Sequence, residues 1–127
     1  MKILVTGDRN WDDYNIVAEA LSALPPGTII VHGACRGADV ICAETAKELG
    51  FIVRSYPADW KRFGRAAGPV RNKQMLTEEN LSHEPINFVY AFHNDLKNSR
   101  GTKNMLKQAE SCGVRYRLFS SPRSITE

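Results

Sequence analysis

The segment 32–39, with the sequence HGACRGAD, contains residues suited to holding an anion. It follows the apolar run 28–31 and precedes a helical pattern, which predicts a turn between a strand and a helix. Gly33 and Gly37 permit positive φ angles and leave the backbone open to a ligand. The N–H groups that begin the next helix favour an anion, and Arg36 adds a charge suited to phosphate or carboxylate. The alternative is a tight turn that needs glycine for its geometry alone.

Asp39 lies just inside this predicted helix. Its carboxylate is expected to hold the glycine-containing loop by accepting backbone N–H bonds, or else only to favour the helix N-terminus. We favour the first interpretation because two glycines alone would leave the loop poorly ordered.

Three further polar segments, 7–11, 56–68 and 93–102, each follow an apolar run. Both tryptophans lie in these segments, and an indole can stack on a base. The alternative is that Trp11 packs on the first helix and Trp60 anchors the long connection. Arginines suited to phosphate lie in or beside the same segments, at Arg9, Arg65, Arg71 and Arg100.

Several common chemistries lack their motifs in this chain. It has no P-loop, no Gly-x-Gly-x-x-Gly after the first strand and no Gly-x-Ser-x-Gly, which disfavours P-loop hydrolases, nicotinamide dehydrogenases and serine hydrolases. The three histidines are far apart, and the pair His32 and Cys35 is too little for a zinc site. No metal and no cofactor is therefore predicted.

Composition and charge indicate one ordinary globular domain. The chain has 127 residues, of which 43% are hydrophobic and 24% charged, and its formal net charge is +3. That charge permits an anionic ligand but is far from the dense basic stripe of a dedicated nucleic-acid binder. Three unclustered cysteines and no apolar run of membrane-spanning length predict a cytoplasmic, unprocessed protein with no membrane partner.

Apolar runs and helical periodicity alternate along residues 1–120, which we assign to a single domain, followed by a polar tail at 121–127 that is expected to fray. Predicted helices begin at Asp12 or Asp13, at Ala38, at Pro69 and at Ser99 or Thr102. The connection 58–68 is predicted to be irregular, and connections of that length are often functional. The predicted strands are 3–5, 28–31, 51–56, 86–92 and 114–119, the last an edge strand with one exposed face.

This alternation predicts an α/β fold, a three-layer sandwich with a five-stranded parallel sheet. The first and fourth strands are the most apolar and belong in the middle, which gives the order 3-2-1-4-5. Ligands of such sheets bind beyond the carboxyl ends of the strands, where the order reverses. All four polar segments leave carboxyl ends, so they should meet at one edge of the sheet.

Four ordered motifs resemble the YspA/YpsA-related branch of the SLOG superfamily: GDR at 7–9, HGACRGAD at 32–39, YPADW at 56–60 and AAGPVRNKQM at 66–75. The resemblance spans nearly the whole chain. It implies a Rossmann-like fold and a nucleotide-derived, phosphate-bearing small molecule that the chain binds, senses or processes. The superfamily also contains the DNA-processing protein A family and the cytokinin-activating phosphoribohydrolases once called lysine decarboxylases.

The loops and the resemblance together predict a set of ligand-binding residues. These are Gly7, Arg9, Trp11, Gly33, Ala34, Arg36, Gly37, Asp39, Asp59, Trp60, Arg71, Asn72, Gly101 and Thr102.

The phosphoribohydrolases carry Met-His-x-Arg-Lys-x-x-Met and then Gly-Gly-x-Gly-Thr-x-x-Glu. In this chain Arg71 matches the arginine, but Met105 occupies the position of the glutamate. An N-glycosidic hydrolase would therefore need a relocated acid, for which the candidates are Asp59, Asp95 and Asp8, and whether a reaction is catalysed stays open.

Two other classes of function also stay open. One is a single-stranded nucleic-acid-binding module like the DNA-processing relatives, which the mild charge disfavours; the other is an interaction protein with a vestigial site. Dimerisation in the phosphoribohydrolase group favours a homodimer.

Overall fold

The computed structural model describes residues 1–82 and 84–122. Its centre is a parallel sheet of five strands in the order β3-β2-β1-β4-β5, which confirms the predicted fold class and strand order. The strands are β1 Lys2–Gly7, β2 Ile29–His32, β3 Ile52–Ser55, β4 Phe88–Phe92 and β5 Tyr116–Phe119.

Helices cover both faces of the sheet. They are α1 Tyr14–Ser22, α2 Ala38–Glu48, α3 Trp60–Phe63, α4 Ala67–Asn80 and α5 Gly101–Ser111, with short 3-10 turns at Gly64–Ala66 and Leu96–Asn98. The first two pack on one face through Val17, Leu21 and Ile41, among others. On the other face, α4 and α5 contribute Met75, Leu76 and Met105, among others.

The central strands explain why the sheet has this order. In β1, Ile3 and Val5 belong to the core beneath α1 and α2, whereas Leu4 belongs to the core beneath α4 and α5. All three side chains are at most 1% exposed. A strand buried on both faces must be apolar throughout, because its alternating side chains point to opposite faces.

A buried polar cluster fixes the C-terminal half of α4 to the sheet. The Lys2 ammonium forms an ion pair of 2.8 Å with Glu79, and these side chains are only 1% and 3% exposed. Arg54 contacts the same Glu79 oxygen at 2.8 Å, and the Tyr56 hydroxyl donates to the other at 2.5 Å. Lys2 also donates to Ser82 Oγ, so the buried charges are paired and hydrogen-bonded as burial requires.

The connection 58–68 is more regular than predicted. It contains α3 and a 3-10 turn, and α4 begins at Ala67 rather than at Pro69. Asp59 makes the short helix possible because its side chain accepts the N–H of Arg62 at 3.1 Å, which caps the first turn. Pro69 is still within the first turn of α4, where its missing N–H would have had no helical partner.

The outer parts of the fold differ from expectation in three places. Both Tyr116 and Leu118 of edge strand β5 are exposed, at 39% and 44%, as is Arg117, so burial does not alternate along this strand. The helical spacing that buries Ile41, Cys42 and Ala46 predicts that Leu49 also faces inward, but Leu49 is 40% exposed at the end of α2. Ser121 is buried and its N–H donates to Asn94 at 2.7 Å, while the rest of the predicted tail from 123 onward lies outside the described residues. Within the described ranges, no helix has the length and apolarity needed to cross a bilayer.

Candidate functional site: an arginine-lined cleft

A cleft of about 310 Å³ opens beyond the carboxyl ends of β1, β2 and β3. The loop after each of these strands contributes to it, and so does the first half of α4. The lining residues are Arg9, Gly33, Ala34, Cys35, Arg36, Pro57, Ala58, Trp60 and Arg71. We call this the arginine cleft, because three of its lining side chains are guanidinium groups and none is a carboxylate.

Arg71 is the buried cation of the cleft, with only 8% of the residue exposed. Its Nη1 donates to the carbonyl oxygens of Gly33 and Tyr56, the latter at 3.4 Å, and its Nε donates to Asn72 Oδ1 at 2.9 Å. These bonds fix the plane of the guanidinium. Among the described residues, the one hydrogen bond of its Nη2 is to the sulfur of Cys35, at 3.8 Å.

Gly33 lets the guanidinium of Arg71 approach the loop. A Cβ at this position would lie 2.6 Å from Arg71 Cζ, which is well inside the van der Waals limit. The next residue, Ala34, has a φ of 58°, a left-handed conformation that is uncommon outside glycine. Its N–H donates to His32 Nδ1 at 3.0 Å, and this bond helps to hold the strained residue in place.

Asp39 holds the same loop from the start of α2. Its Oδ2 accepts the N–H of Gly33 at 3.0 Å and that of Cys35 at 3.3 Å, which agrees with the favoured interpretation of this carboxylate. Asp39 therefore orders the lining of the cleft from below and is itself 5% exposed.

The protonation states of the two loop-holding groups follow from their burial. Burial lowers the pKa of His32, and the charges of Lys47 and Arg71 lower it further, so the imidazole is neutral at pH 7 and Nδ1 can accept. Burial raises the pKa of Asp39 to about 6, although the N–H of Cys35, the charge of Arg71 and the N–H of Gly33 oppose that change. Asp39 is thus ionised at pH 7.

Gly37 joins the first two loops of the site. It has a φ of 77°, and a Cβ there would lie 2.5 Å from the carbonyl carbon of Arg9. Next to it, the N–H of Ala38 donates to the carbonyl oxygen of Asp8 at 3.1 Å. The sequence predicted that a glycine here leaves room for a ligand. In the structure, a side chain at position 37 would instead collide with the backbone of Asp8 and Arg9.

The charges of the cleft are not paired within the protein. Among the described residues, no carboxylate lies within the ion-pair distance of 4.0 Å from Arg9, Arg36 or Arg71. Arg9 and Arg36 are exposed at the mouth, and Arg71 is buried. The charge of buried Arg71 interacts with Asp39 behind the loop without a direct ion pair, and a bound anion would add such a pair from the cleft.

The two tryptophans have different roles. Trp60 is 55% exposed and lines the cleft, so one face of its ring can meet a ligand. Trp11 is 5% exposed, packs edge-on against Phe92 at 5.7 Å and donates its indole N–H to the carbonyl oxygen of Asp13. Trp11 therefore packs in the core as the alternative interpretation expects, and it is not among the residues that line the cleft.

Four other predicted binding residues lie outside the lining. Gly7 is packed between β4 and α2. A Cβ at Gly7 would lie 2.5 Å from the carbonyl oxygen of Phe92 and 2.6 Å from the Cβ of Ala38. Asn72 is buried and ties Arg71 to α5 through a bond to Asn104 at 3.1 Å. Gly101 and Thr102 lie at the start of α5, where Thr102 is buried and donates its N–H to Ser99.

None of the three candidate acids lines the cleft. Asp59 caps α3, Asp8 accepts the N–H of Asn10 at 2.9 Å, and Asp95 accepts from the side chain of Asn98 at 2.8 Å. Met105, at the position of the relatives' glutamate, is fully buried in the core. No group of three or more metal-ligating side chains occurs in the part of the chain that the structure describes.

Cys35, Pro57 and Ala58 line the cleft but were not among the predicted binding residues. Their positions inside the segments HGACRGAD and YPADW were the available signal. Their small or apolar side chains gave no chemical reason to select them.

Comparison with known proteins gives a family and a fold. Residues 1–63 match the model of the YspA, cpYpsA-related SLOG family. The chain is 32% identical over 122 residues to the Gene 61 protein of Mycobacterium phage D29, covering 89% of this chain and 91% of that protein.

Among solved structures, the chain is similar to DNA processing protein A from Streptococcus pneumoniae, with a TM-score of 0.70 and 15% identity. The match covers 94% of this chain and 49% of that protein, so the chain spans about half of its length. At this identity the likeness concerns the Rossmann-like fold.

Proposed function

Because this chain belongs to the YspA, cpYpsA-related SLOG family, we propose that it binds a phosphate-bearing, nucleotide-derived small molecule in the arginine cleft. The family and the fold indicate a function related to nucleotides or nucleic acids. The finer assignment rests on the geometry of the cleft.

Arg71 carries the proposal. Its guanidinium is buried, oriented by three hydrogen bonds and without a carboxylate in ion-pair reach among the described residues, while Nη2 has only a thiol as neighbour. An oxyanion accepts charge-assisted hydrogen bonds from a guanidinium that is already oriented, with little loss of side-chain entropy. A phosphate oxygen at Nη2 would use the donors that the protein leaves.

Trp60 supports the nucleotide part of the proposal. More than half of this residue is exposed at the wall of a cleft that also contains Pro57 and Ala58. An exposed indole beside unpaired cations suits a ligand with an aromatic base and a phosphate. The cleft volume of 310 Å³ is at the small end of the range of about 300–1,000 Å³ for small-molecule sites.

A second candidate, single-stranded nucleic-acid binding, is favoured by one surface. Trp60 and Phe63 of α3 are both exposed. Lys61 and Arg62 lie between them in the sequence, and Arg65 follows in the next turn. Stacking rings interleaved with cations suit a flexible strand. The name of DNA processing protein A points the same way. We rank it second because a net charge of +3 offers few phosphate contacts.

The experiment is a thermal melt of the native chain with AMP or ADP-ribose. At concentrations 100-fold above Kd we expect Tm to rise by about 10 °C, since a ligand that binds only the folded state stabilises it by mass action. Arg71→Gln should lose this rise. Arg115→Gln, an exposed arginine just before β5 and away from the cleft, is the matched control and should retain it.

A second measurement does not depend on the folding of a variant. Trp60 is accessible and Trp11 is buried, so acrylamide should quench mainly Trp60 in the free protein. Ligand in the cleft should protect Trp60 from this quenching. If neither nucleotide raised Tm or protected Trp60, the proposed function would be wrong.

A further inference from the structure

We propose that the arginine cleft selects ligands with two linked phosphate groups, such as a nucleoside diphosphate or another pyrophosphate ester, over nucleoside monophosphates. This inference rests on the proposed function, because it names the ligand class of the same site. Three observations carry it: the number of unpaired cations, their different depths, and the single aromatic wall.

The number of charges fits two phosphates better than one. Arg9, Arg36 and Arg71 give the cleft three positive charges and its lining has no carboxylate. Buried Asp39 lies behind the lining and its charge interacts with that of Arg71, so Arg9 and Arg36 are the cleft cations for which the described residues provide no nearby carboxylate. A phosphate monoester bound at Arg71 would leave these two cations without an anion. A second linked phosphate adds the missing negative charge.

The cations lie at two depths and come from different elements. Arg71 projects from α4 and is buried, whereas Arg9 and Arg36 belong to the loops after β1 and β2 and are exposed. No hydrogen bond within the described residues holds either exposed guanidinium. A phosphate seated on Arg71 would thus leave Arg9 and Arg36 free to bind a second phosphate nearer the mouth.

The aromatic wall completes the assignment. Trp60 lines the same cleft, and its exposure of 55% leaves an accessible ring face for a base. The base supplies affinity that is common to monophosphate and diphosphate. The difference in affinity between the two ligands therefore measures the contribution of Arg9 and Arg36, the two arginines at the mouth of the cleft.

The test compares four probes by calorimetry with the full chain: inorganic phosphate, pyrophosphate, AMP and ADP, without divalent cations and at constant ionic strength. We expect ADP to bind at least about tenfold more tightly than AMP, and pyrophosphate to exceed phosphate by a similar factor, as one additional charge-assisted contact provides. Arg36→Ala and Arg9→Ala should each reduce the ADP advantage to about threefold or less, because each should weaken ADP binding more than AMP binding. Arg115→Ala is the charge-matched control and should behave as the native chain.

Each alternative result has a distinct meaning. Equal binding of AMP and ADP would overturn the two-phosphate inference and leave the proposed function standing. A preference for ADP that survives both arginine substitutions would also overturn it, because the second phosphate would then be held elsewhere. Binding of none of the four probes by the folded chain would overturn the proposed function itself.

Discussion

Single residues in the arginine cleft have structural and binding roles at once. The carbonyl oxygen of Gly33 accepts from Arg71, and its N–H donates to Asp39, so one residue links the loop to two buried charged groups. Ala34 is held in a left-handed conformation beside them. A loop fixed at consecutive residues presents its atoms to a ligand with little entropy left to lose.

Gly37 offers a sharp test at this scale because the chain contains a matched control. Gly37 and Gly50 have φ angles of 77° and 78°, but a Cβ at Gly37 would meet the backbone of Asp8 and Arg9, and one at Gly50 would meet nothing within 4 Å. Alanine at either position has the strain of a positive φ, and at Gly37 a ψ of −123° adds to it because this φ, ψ pair lies outside the left-handed region of L-residues. Gly37→Ala should be destabilised by clearly more than Gly50→Ala in urea unfolding.

The difference in stability between the two variants combines the backbone strain at Gly37 with the contact between the first two loops of the site. A Gly37→Ala protein with the stability of Gly50→Ala would mean that the loops separate at no cost, and the account of this junction would then be wrong. Gly37→Ala should also weaken ADP binding, because Arg9 and Arg36 would move apart.

At the scale of elements, α4 determines where the buried arginine lies. Glu79 in its last turn is fixed by Lys2, Arg54 and Tyr56, and Arg71 two turns earlier donates to the carbonyl oxygen of Tyr56. Tyr56 therefore contacts the helix at both levels, through its hydroxyl and through its backbone. The packing of α4 on β1 and β3 and the geometry of the cleft are coupled.

Glu79→Gln tests this anchor through pH. Burial raises the pKa of Glu79, but bonds from Lys2, Tyr56 and Arg54 and the charge of Lys2 outweigh it and hold the pKa below its ordinary value of 4.5. A carboxyl whose pKa is lowered by folding stabilises the native state above its unfolded pKa and loses that effect as pH falls through its folded pKa. Unfolding free energies of both proteins should be measured in urea between pH 7 and 3.

At pH 7, Glu79→Gln should be less stable by about 3 kcal/mol, because Lys2 loses its buried counter-ion. The difference between the two proteins should begin to shrink below about pH 4.5, where the carboxylate of the unfolded chain becomes protonated, and should shrink further as the pH falls through the lower pKa of the native carboxylate. A difference that stays constant down to pH 3 would contradict the ionic role of Glu79. Glu44→Gln, at an exposed position of α2, is the control.

For the whole molecule, the distribution of charge matters more than its sum. The net charge is +3, and the three unpaired arginines of the cleft are concentrated in one small volume. A strand of nucleic acid needs an extended row of cations, and the salt dependence of binding counts them. The cleft instead concentrates its charge for a compact anion.

Binding to single-stranded DNA should therefore be weak at physiological salt. We expect the logarithm of the affinity to fall with the logarithm of the salt concentration at a slope of about −2 or shallower, since about −0.7 is expected per neutralised phosphate of a single strand. A fluorescence anisotropy series from 50 to 200 mM salt provides the measurement. Tight binding with a steep slope, lost in Trp60→Ala, would instead reverse the ranking of the two proposed functions.

Most of the fold could be predicted from the sequence, because apolar runs and helical periodicity are local patterns and the strand order depends on their succession along the chain. Continuous apolar strands such as β1 and β4 must be buried on both faces, so they belong in the centre, and the strand order follows. Connections in parallel sheets are right-handed, which sends all four polar segments to one edge. Asp39 could also be interpreted correctly, because a carboxylate at a helix start beside two glycines has few other partners.

Only the tertiary structure decided which of these segments share a cleft. The segments after β1, β2 and β3 meet with α4 around Arg71, whereas 93–102 contributes no lining residue. Nothing in the sequence was a reason to treat Trp11 and Trp60 differently. In the structure, Trp11 packs against Phe92, far along the chain, and is buried, whereas Trp60 is exposed. Burial and proximity depend on contacts between distant segments, and a local pattern predicts which edge a side chain belongs to but not which neighbours it meets there.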